Sequence, residues 1–156
     1  MILYHASNVP VENPDTTHSR KNIDFGQGFY PTSMRDQAVK YAKRFKRREE
    51  DAFLSTFELP EELLEWKVKV FESYNDEWLD FILANRNGDE TEYFDLIIGG
   101  IANDKVIDTL DLYVQGIYSR EKTLGMLIYE KPNIQYCIRS DKMLKECLKF
   151  IKYEKI

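Results

Sequence analysis

The sequence predicts an α+β fold carried by a single domain spanning residues 1–156. Strand-like segments fall at the beginning, middle and end of the chain. Helical segments do not alternate with them strictly, as a doubly wound parallel sheet requires. The chain is also the right size for one core: of 156 residues, 43% are hydrophobic, with 10 Tyr, 9 Phe and 2 Trp, and single cores serve chains of about 100–200 residues.

Each element has a local cause. Ile2–Tyr4 is a short apolar opening that reads as a strand. From Asn8 to Gly28 the chain is polar and turn-rich, with Pro10, Pro14, Gly26 and Gly28; loops this long in a compact domain usually serve function. Ser33 is positioned to cap a helix reaching about Arg48, with Ala38, Tyr41, Ala42 and Phe45 recurring at helical spacing. Phe53–Leu59 and Trp66–Phe71 read as strands, the second through Trp66, Val68 and Val70 alternating with lysines. Asn75 or Asp76 caps a helix bearing Trp78, Phe81 and Ile82, and Leu96–Ile98 is an apolar strand ending at Gly99-Gly100. Asn103 starts a helix with Val106, Leu110 and Val114 on one side and Gly116 as its stop. Ser119 opens the next, with Leu124, Leu127 and Ile128, and Pro132 follows it. Ile134–Ile138 is a strand, and Ser140–Phe150 is expected to close the chain as an amphipathic helix.

Composition removes several classes. No apolar run approaches the ~18–20 residues needed to span a bilayer, so a membrane protein is not expected. No basic-then-apolar leader is visible at the N-terminus. Two cysteines, Cys137 and Cys147, are too few for a disulfide framework, and with only His5 and His18 beside them no zinc spacing forms. Reduced thiols and a cytoplasmic location are expected, with no metal. The net charge of −5 argues against whole-molecule attraction to nucleic acid. The charge is uneven, however: Lys40, Lys43, Arg44, Lys46, Arg47 and Arg48 crowd one stretch ahead of Glu49, Glu50 and Asp51. Such a run is either a solvated helix face or a phosphate contact.

Three separated motifs bear polar or aromatic groups suited to a ligand. In Leu3-Tyr4-His5-Ala6-Ser7 a histidine ends the opening strand. In Asp24-Phe25-Gly26-Gln27-Gly28-Phe29-Tyr30-Pro31-Thr32 two glycines permit positive φ and close backbone approach. Tyr41 follows Tyr30 by eleven residues, so a turn between them could set the two rings across a slot; by periodicity Tyr41 is equally a core residue. In Asn133-Ile134-Gln135-Tyr136-Cys137-Ile138, alternation puts Gln135 and Cys137 on one face and Ile134, Tyr136 and Ile138 on the other. No Ser/His/Asp or Cys/His nucleophile set is visible.

In their order, these motifs resemble the His–Tyr–Glu pattern of the ADP-ribosyltransferases of the diphtheria-toxin and poly(ADP-ribose) polymerase type. They resemble in particular a bacterial domain family of that clan, linked in part to toxin–antitoxin or defence loci. Phe94-Asp95-Leu96-Ile97-Ile98-Gly99 and Ile101-Ala102-Asn103-Asp104-Lys105-Val106 look like that family too, so the resemblance runs from His5 to about Phe150. It implies a split β-sandwich with flanking helices and NAD as co-substrate. It makes His5 a partner of the adenosine-side ribose and puts Ala6, where the family usually has Gly, at the position whose backbone engages the nicotinamide amide. Tyr30 and Tyr41 would hold the nicotinamide ring, a cation against aromatic faces worth roughly 0.5–2 kcal/mol. Gly26 and Gly28 would let the backbone close over ribose and diphosphate. Gln135 stands where the family has its catalytic glutamate, whose charge stabilises an oxocarbenium-like transition state.

The reading that follows is a mono-ADP-ribosyltransferase with Gln135, His5 and Tyr30 as its catalytic set, a toxin or defence effector modifying a macromolecular acceptor, protein or nucleic acid. An antitoxin protein is a partner implied by the resemblance. Glutamine for glutamate leaves open a catalytically silent NAD- or nucleotide-binding module; NAD glycohydrolysis and nucleic-acid binding through the basic stretch are further alternatives. Glu130 is a candidate for the missing charge, and Asp24, Asp95 and Asp104 are carboxylates with capping or surface roles as their simpler explanation.

Overall fold

A computed structural model describes residues 1–89 and 92–156. The described elements are β1 (Ile2–Ser7), α1 (Arg35–Lys46), β2 (Phe53–Glu58), β3 (Val68–Val70), α2 (Asp76–Arg86), β4 (Leu96–Ile101), α3 (Asp104–Val114), α4 (Arg120–Leu127), β5 (Asn133–Ile138), α5 (Asp141–Cys147) and β6 (Lys149–Lys155). The fold is α+β, built on two three-stranded sheets. One has the order β1-β2-β6 with both pairs antiparallel; the other has the order β3-β4-β5, with β3 parallel and β5 antiparallel to β4.

Side-chain alternation along the strands sorts the apolar residues into three clusters. Leu3 and Phe57 from the first sheet meet Leu96, Tyr136 and Ile138 from the second in one buried cluster, so the sheets share a core. The opposite face of the second sheet, through Ile97 and Cys137, packs on Trp78, Leu79 and Ile82 of α2 and on Val106 and Leu110 of α3. The opposite face of the first sheet, through Ala6 and Leu54, receives Ala38 and Ala42 of α1. Alanines on both sides let that helix lie close to the strands.

Most helix starts follow the side-chain chemistry of their first turns. Asn75, Asn103, Ser119 and Ser140 each accept a backbone N–H from the residue three further on. Four expectations need correction. The α1 helix begins one residue later than a Ser33 cap would set it, after Met34, which offers no side-chain cap and whose own N–H is taken by the Thr32 hydroxyl at 3.1 Å. The strand expected over Trp66–Phe71 is only Val68–Val70, since the Asp95 side chain takes the Lys67 N–H at 2.9 Å. The strand over Leu96–Ile98 runs on through Gly99 and Gly100 to Ile101. A Cβ on Gly100 would sit 2.6 Å from the Tyr74 ring, and one on Gly99 3.0 Å from Phe71 Cβ, so the glycines are where aromatic rings lie on the sheet.

The fourth correction is the largest. The terminal helix stops at Cys147; Leu148 is extended, and Lys149–Lys155 form β6 on the far edge of the first sheet. Ile151-Lys152-Tyr153-Glu154 alternates apolar and polar residues, and pairing with β2 satisfies backbone groups that a longer helix would have satisfied internally.

One segment ties the two sheets together. Residues 29–32 run between β1 and β5, which are edge strands of their respective sheets. Phe29 and Ile138 exchange N–H···O bonds of 2.9 Å in each direction, Tyr136 N–H donates to Pro31 O at 3.0 Å, and Tyr4 and Thr32 exchange bonds of 2.7 and 2.9 Å. The strap therefore covers both edges and closes a gap that would otherwise leave unpaired backbone.

Gly28 admits the strap to β5. A Cβ there would lie 2.7 Å from Ile138 O and 2.8 Å from Cys137 Sγ. Gly28→Ala is expected to destabilise the protein by about 1–3 kcal/mol through overpacking, measured by chemical denaturation; an unchanged midpoint would contradict the packing described.

Candidate functional site

Of the four strap carbonyls, three are taken by backbone N–H groups and that of Tyr30 is met by side chains. His5 projects from β1 on the same side as Leu3 and places Nδ1 3.1 Å from Tyr30 O. Gln135 comes from β5, on the face it shares with Cys137, and its Nε2 donates to the same oxygen at 3.5 Å. Three segments far apart in sequence thus meet at one atom.

A carbonyl can only accept, which fixes the chemistry of both partners. Nδ1 of His5 carries the proton, and the neutral ring leaves Nε2 with a lone pair. Burial lowers the His5 pKa below its usual 6.5, outweighing the opposite effect of the Tyr30 carbonyl, so the ring is neutral near pH 7. Its face rests 4.5 Å from the Phe29 ring. With its amide nitrogen on Tyr30 O, Gln135 keeps Oε1 as an acceptor. Neither His5 Nε2 nor Gln135 Oε1 has a hydrogen-bond partner among the described residues. Two acceptors beside one carbonyl suit the hydroxyls of a sugar.

Tyr30 itself is turned inward. Its ring packs against the cluster of Phe25, Trp78 and Cys137, and its hydroxyl donates to the Gly26 carbonyl. Burial, then the neighbouring Cys137, push its pKa upward, so the phenol stays protonated. That bond holds the turn in which Gly26 has φ 79° and donates its N–H to Ile23 O at 2.8 Å; this backbone conformation is one that glycine adopts readily. The Gly28 N–H donates to Ser19 Oγ at 2.9 Å. Ala6 turns its methyl to the α1 interface. Tyr41 lies on α1, 49% exposed, with its ring 5.7 Å from Phe45 and beneath the Arg44 guanidinium at 5.1 Å. Among the described residues no ring contact joins Tyr41 to Tyr30. The structure thus assembles His5, Tyr30 and Gln135 and places Tyr41 apart from them.

The carboxylate candidates take other positions. Asp24 accepts twice from Arg86, at 2.9 and 2.7 Å through one oxygen, and its other oxygen takes the Ala102 N–H at 2.9 Å. It pins the long loop to α2 and to the end of β4, a cap that sequence spacing alone does not show. Asp95 braces Lys67 and the Tyr93 hydroxyl, and Asp104 lies in the first turn of α3. Glu130 follows α4; with Asp24 it adds to burial in raising the Tyr74 phenol to about 12. Sequence reasoning missed Phe25, fully buried, which anchors the loop in the core, and Ser19, which meets Gly28. An isolated Phe in a polar loop was the available signal for the first.

Two clefts among the described residues lie elsewhere. One of about 280 Å³ runs along α2, between Glu77, Asp80, Phe81 and Asp89, and one of about 180 Å³ is formed by residues 62–66. The first is acidic and ill suited to a diphosphate. No group of three or more His, Cys, Asp or Glu is placed to hold a metal among the described residues. No helix among them is long and apolar enough to cross a membrane.

Residues 1–150 match a family described as a protein of unknown function, DUF3990. The chain belongs to the DUF3990 family. The match begins ahead of His5 and ends within β6, so the DUF3990 region holds the strap, every strand before β6 and every residue of the Tyr30 cluster. Neither the search of curated proteins nor that of solved structures found a match.

The half-buried, neutral His5 makes stability depend on pH. Between its lowered native pKa and the ordinary 6.5, the unfolded chain binds the extra proton, so this contribution is complete above 6.5 and is lost as pH falls. The drop in Tm between about pH 7 and 5.5 is expected to be smaller in His5→Gln than in the wild type; parallel curves would contradict the assignment of a neutral ring.

Proposed function

We propose that this DUF3990 protein is an NAD-dependent mono-ADP-ribosyltransferase whose site is the His5–Tyr30–Gln135 cluster. The observation that carries the reading is the convergence of His5 and Gln135 on the Tyr30 carbonyl, with His5 Nε2 and Gln135 Oε1 left as acceptors. It supports the order of motifs that resembles the transferase clan, and the two sheets are compatible with the split β-sandwich which that resemblance implies. NAD is the co-substrate of this reaction. His5 Nε2 accepts from a hydroxyl of the adenosine-side ribose, and Gln135 Oε1 from one of the nicotinamide ribose. Tyr30, engaged by Gly26, shapes the wall between them, and Tyr41, held on α1 by Arg44 and Phe45, takes no part in it.

In the reaction the nicotinamide–ribose bond breaks and nicotinamide leaves with the bonding pair. A nucleophile X–H on the macromolecular acceptor forms the new bond to the anomeric carbon and gives its proton to solvent. Gln135 orients the ribose by hydrogen bonding but brings no charge to the oxocarbenium-like transition state, where electrostatic stabilisation often contributes most to the rate. A slow enzyme is therefore expected, in keeping with a cytoplasmic effector that acts on a cellular target and is held in check by an antitoxin.

A second reading, a silent NAD-binding module, is favoured by one fact: the Gln135 amide is neutral and its nitrogen is committed to Tyr30 O. Nicotinamide release separates the two. With purified protein, NAD and cell lysate, release is expected to rise on lysate addition. It should fall roughly 100-fold in His5→Ala, the loss typical of a removed transition-state contact, fall in Gln135→Ala and rise in Gln135→Glu. NAD binding without release, with release appearing in Gln135→Glu, would establish the silent module. Release that ignores lysate would indicate glycohydrolysis, and wild-type rates in both His5→Ala and Gln135→Ala would remove the site assignment.

A further inference from the structure

The α1 helix carries its cations without neutralisation. Lys40, Lys43, Arg44, Lys46, Arg47 and Arg48 are all exposed, and among the described residues none forms an ion pair. Other cations of the chain do: Arg35 with Glu154, Lys69 with Glu77, Arg86 with Asp24, Arg120 with Asp76 and Asp80, Lys155 with Asp51. The acidic run that follows the helix would be its natural counter-charge, yet it is turned away. Glu49 has φ 60°, Glu50 accepts from Asn8 Nδ2 at 3.2 Å, and Asp51 holds Lys155 at 2.7 Å. Asp36 lies one turn before Lys40 and makes no pair with it.

Helical spacing sets Lys40, Lys43, Arg44 and Arg47 on one stripe, opposite Ala38 and Ala42, which seat the helix on the sheet. Tyr41 flanks that stripe, half exposed, with the Arg44 guanidinium over its ring at 5.1 Å and Phe45 supporting the ring edge at 5.7 Å. An uncompensated row of cations beside a braced aromatic ring on a chain of net charge −5 is the chemistry that tracks a phosphate backbone and stacks a base. We propose that the outer face of α1 is a binding surface for single-stranded nucleic acid. Lys43, Arg44 and Arg47 would meet phosphates and Tyr41 would stack a base. An acidic protein surface would use the cations but has no need of the ring.

The proposal is independent of the NAD reading, because its test contains no NAD. Fluorescence anisotropy with labelled 15-nucleotide RNA and DNA, single-stranded and duplex, would be measured over a salt series. Both single strands are expected to bind more tightly than the duplex, with affinity falling as salt rises. In the triple variant Lys43→Ala/Arg44→Ala/Arg47→Ala the affinity should drop at least 10-fold, and the slope of log affinity against log salt should flatten by about 2, from roughly 0.7 per lost phosphate contact. Tyr41→Ala should weaken base-bearing strands more than an abasic strand of equal length. Circular dichroism of each variant must match the wild type, and the charge-preserving Arg44→Lys/Arg47→Lys variant should keep the salt slope. No binding at low salt, an unchanged slope in the triple variant, or equal affinity for an acidic polypeptide of the same charge would each overturn the proposal.

Discussion

The structure depends on the strap of residues 29–32. Two sheets of three strands each leave β1 and β5 as edges, and the strap hydrogen-bonds to both at once. Its course determines what else can be present. Gly28 must be small for the chain to reach β5, Gly26 must turn through a positive φ before it, and the Tyr30 hydroxyl must hold that turn. Because Pro31 O and Phe29 O serve β5 while Thr32 O serves β1, the Tyr30 carbonyl between them is left for His5 and Gln135. The candidate site follows directly from the way the sheets are joined.

Some of this is legible in the sequence because its cause is local. The Asn and Ser caps act within one turn, and alternation along β5 correctly separates Cys137 from Ile134, Tyr136 and Ile138. What escaped the sequence depends on partners far along the chain. Lys149–Lys155 become a strand only because β2 offers an edge, and Gly99-Gly100 continue β4 only because Phe71 and Tyr74 lie across them. Asp24 reads as a loop carboxylate until Arg86, 62 positions later, is seen to grip it. Helical spacing puts Tyr41 on the apolar stripe of α1, whereas its ring stands half exposed; the narrow Ala38–Ala42 contact seats the helix without it. The motif residues His5, Tyr30 and Gln135 could be named, but not their common target, since a shared backbone carbonyl leaves no mark in side-chain spacing.

Charge is distributed in keeping with a division of labour. Acidic side chains line the cleft on α2, while the outward face of α1 keeps its cations unpaired. The cluster at Tyr30 carries no formal charge of its own: His5 is neutral, Gln135 is an amide and Tyr30 is protonated. Such a site offers acceptors to hydroxyl groups but supplies little field to a developing cation, so under the proposed reading residue 135 separates a slow transferase from a binding module.

The most direct test of the account is an NMR titration of the isotope-labelled protein with NAD, following backbone amides and the His5 imidazole. The account predicts that shifts concentrate at His5, Tyr30, Thr32 and Gln135, with the His5 ring remaining neutral and Nδ1 protonated. Shifts confined to the α2 cleft around Glu77, Asp80 and Phe81, or no shifts at saturating NAD, would contradict it.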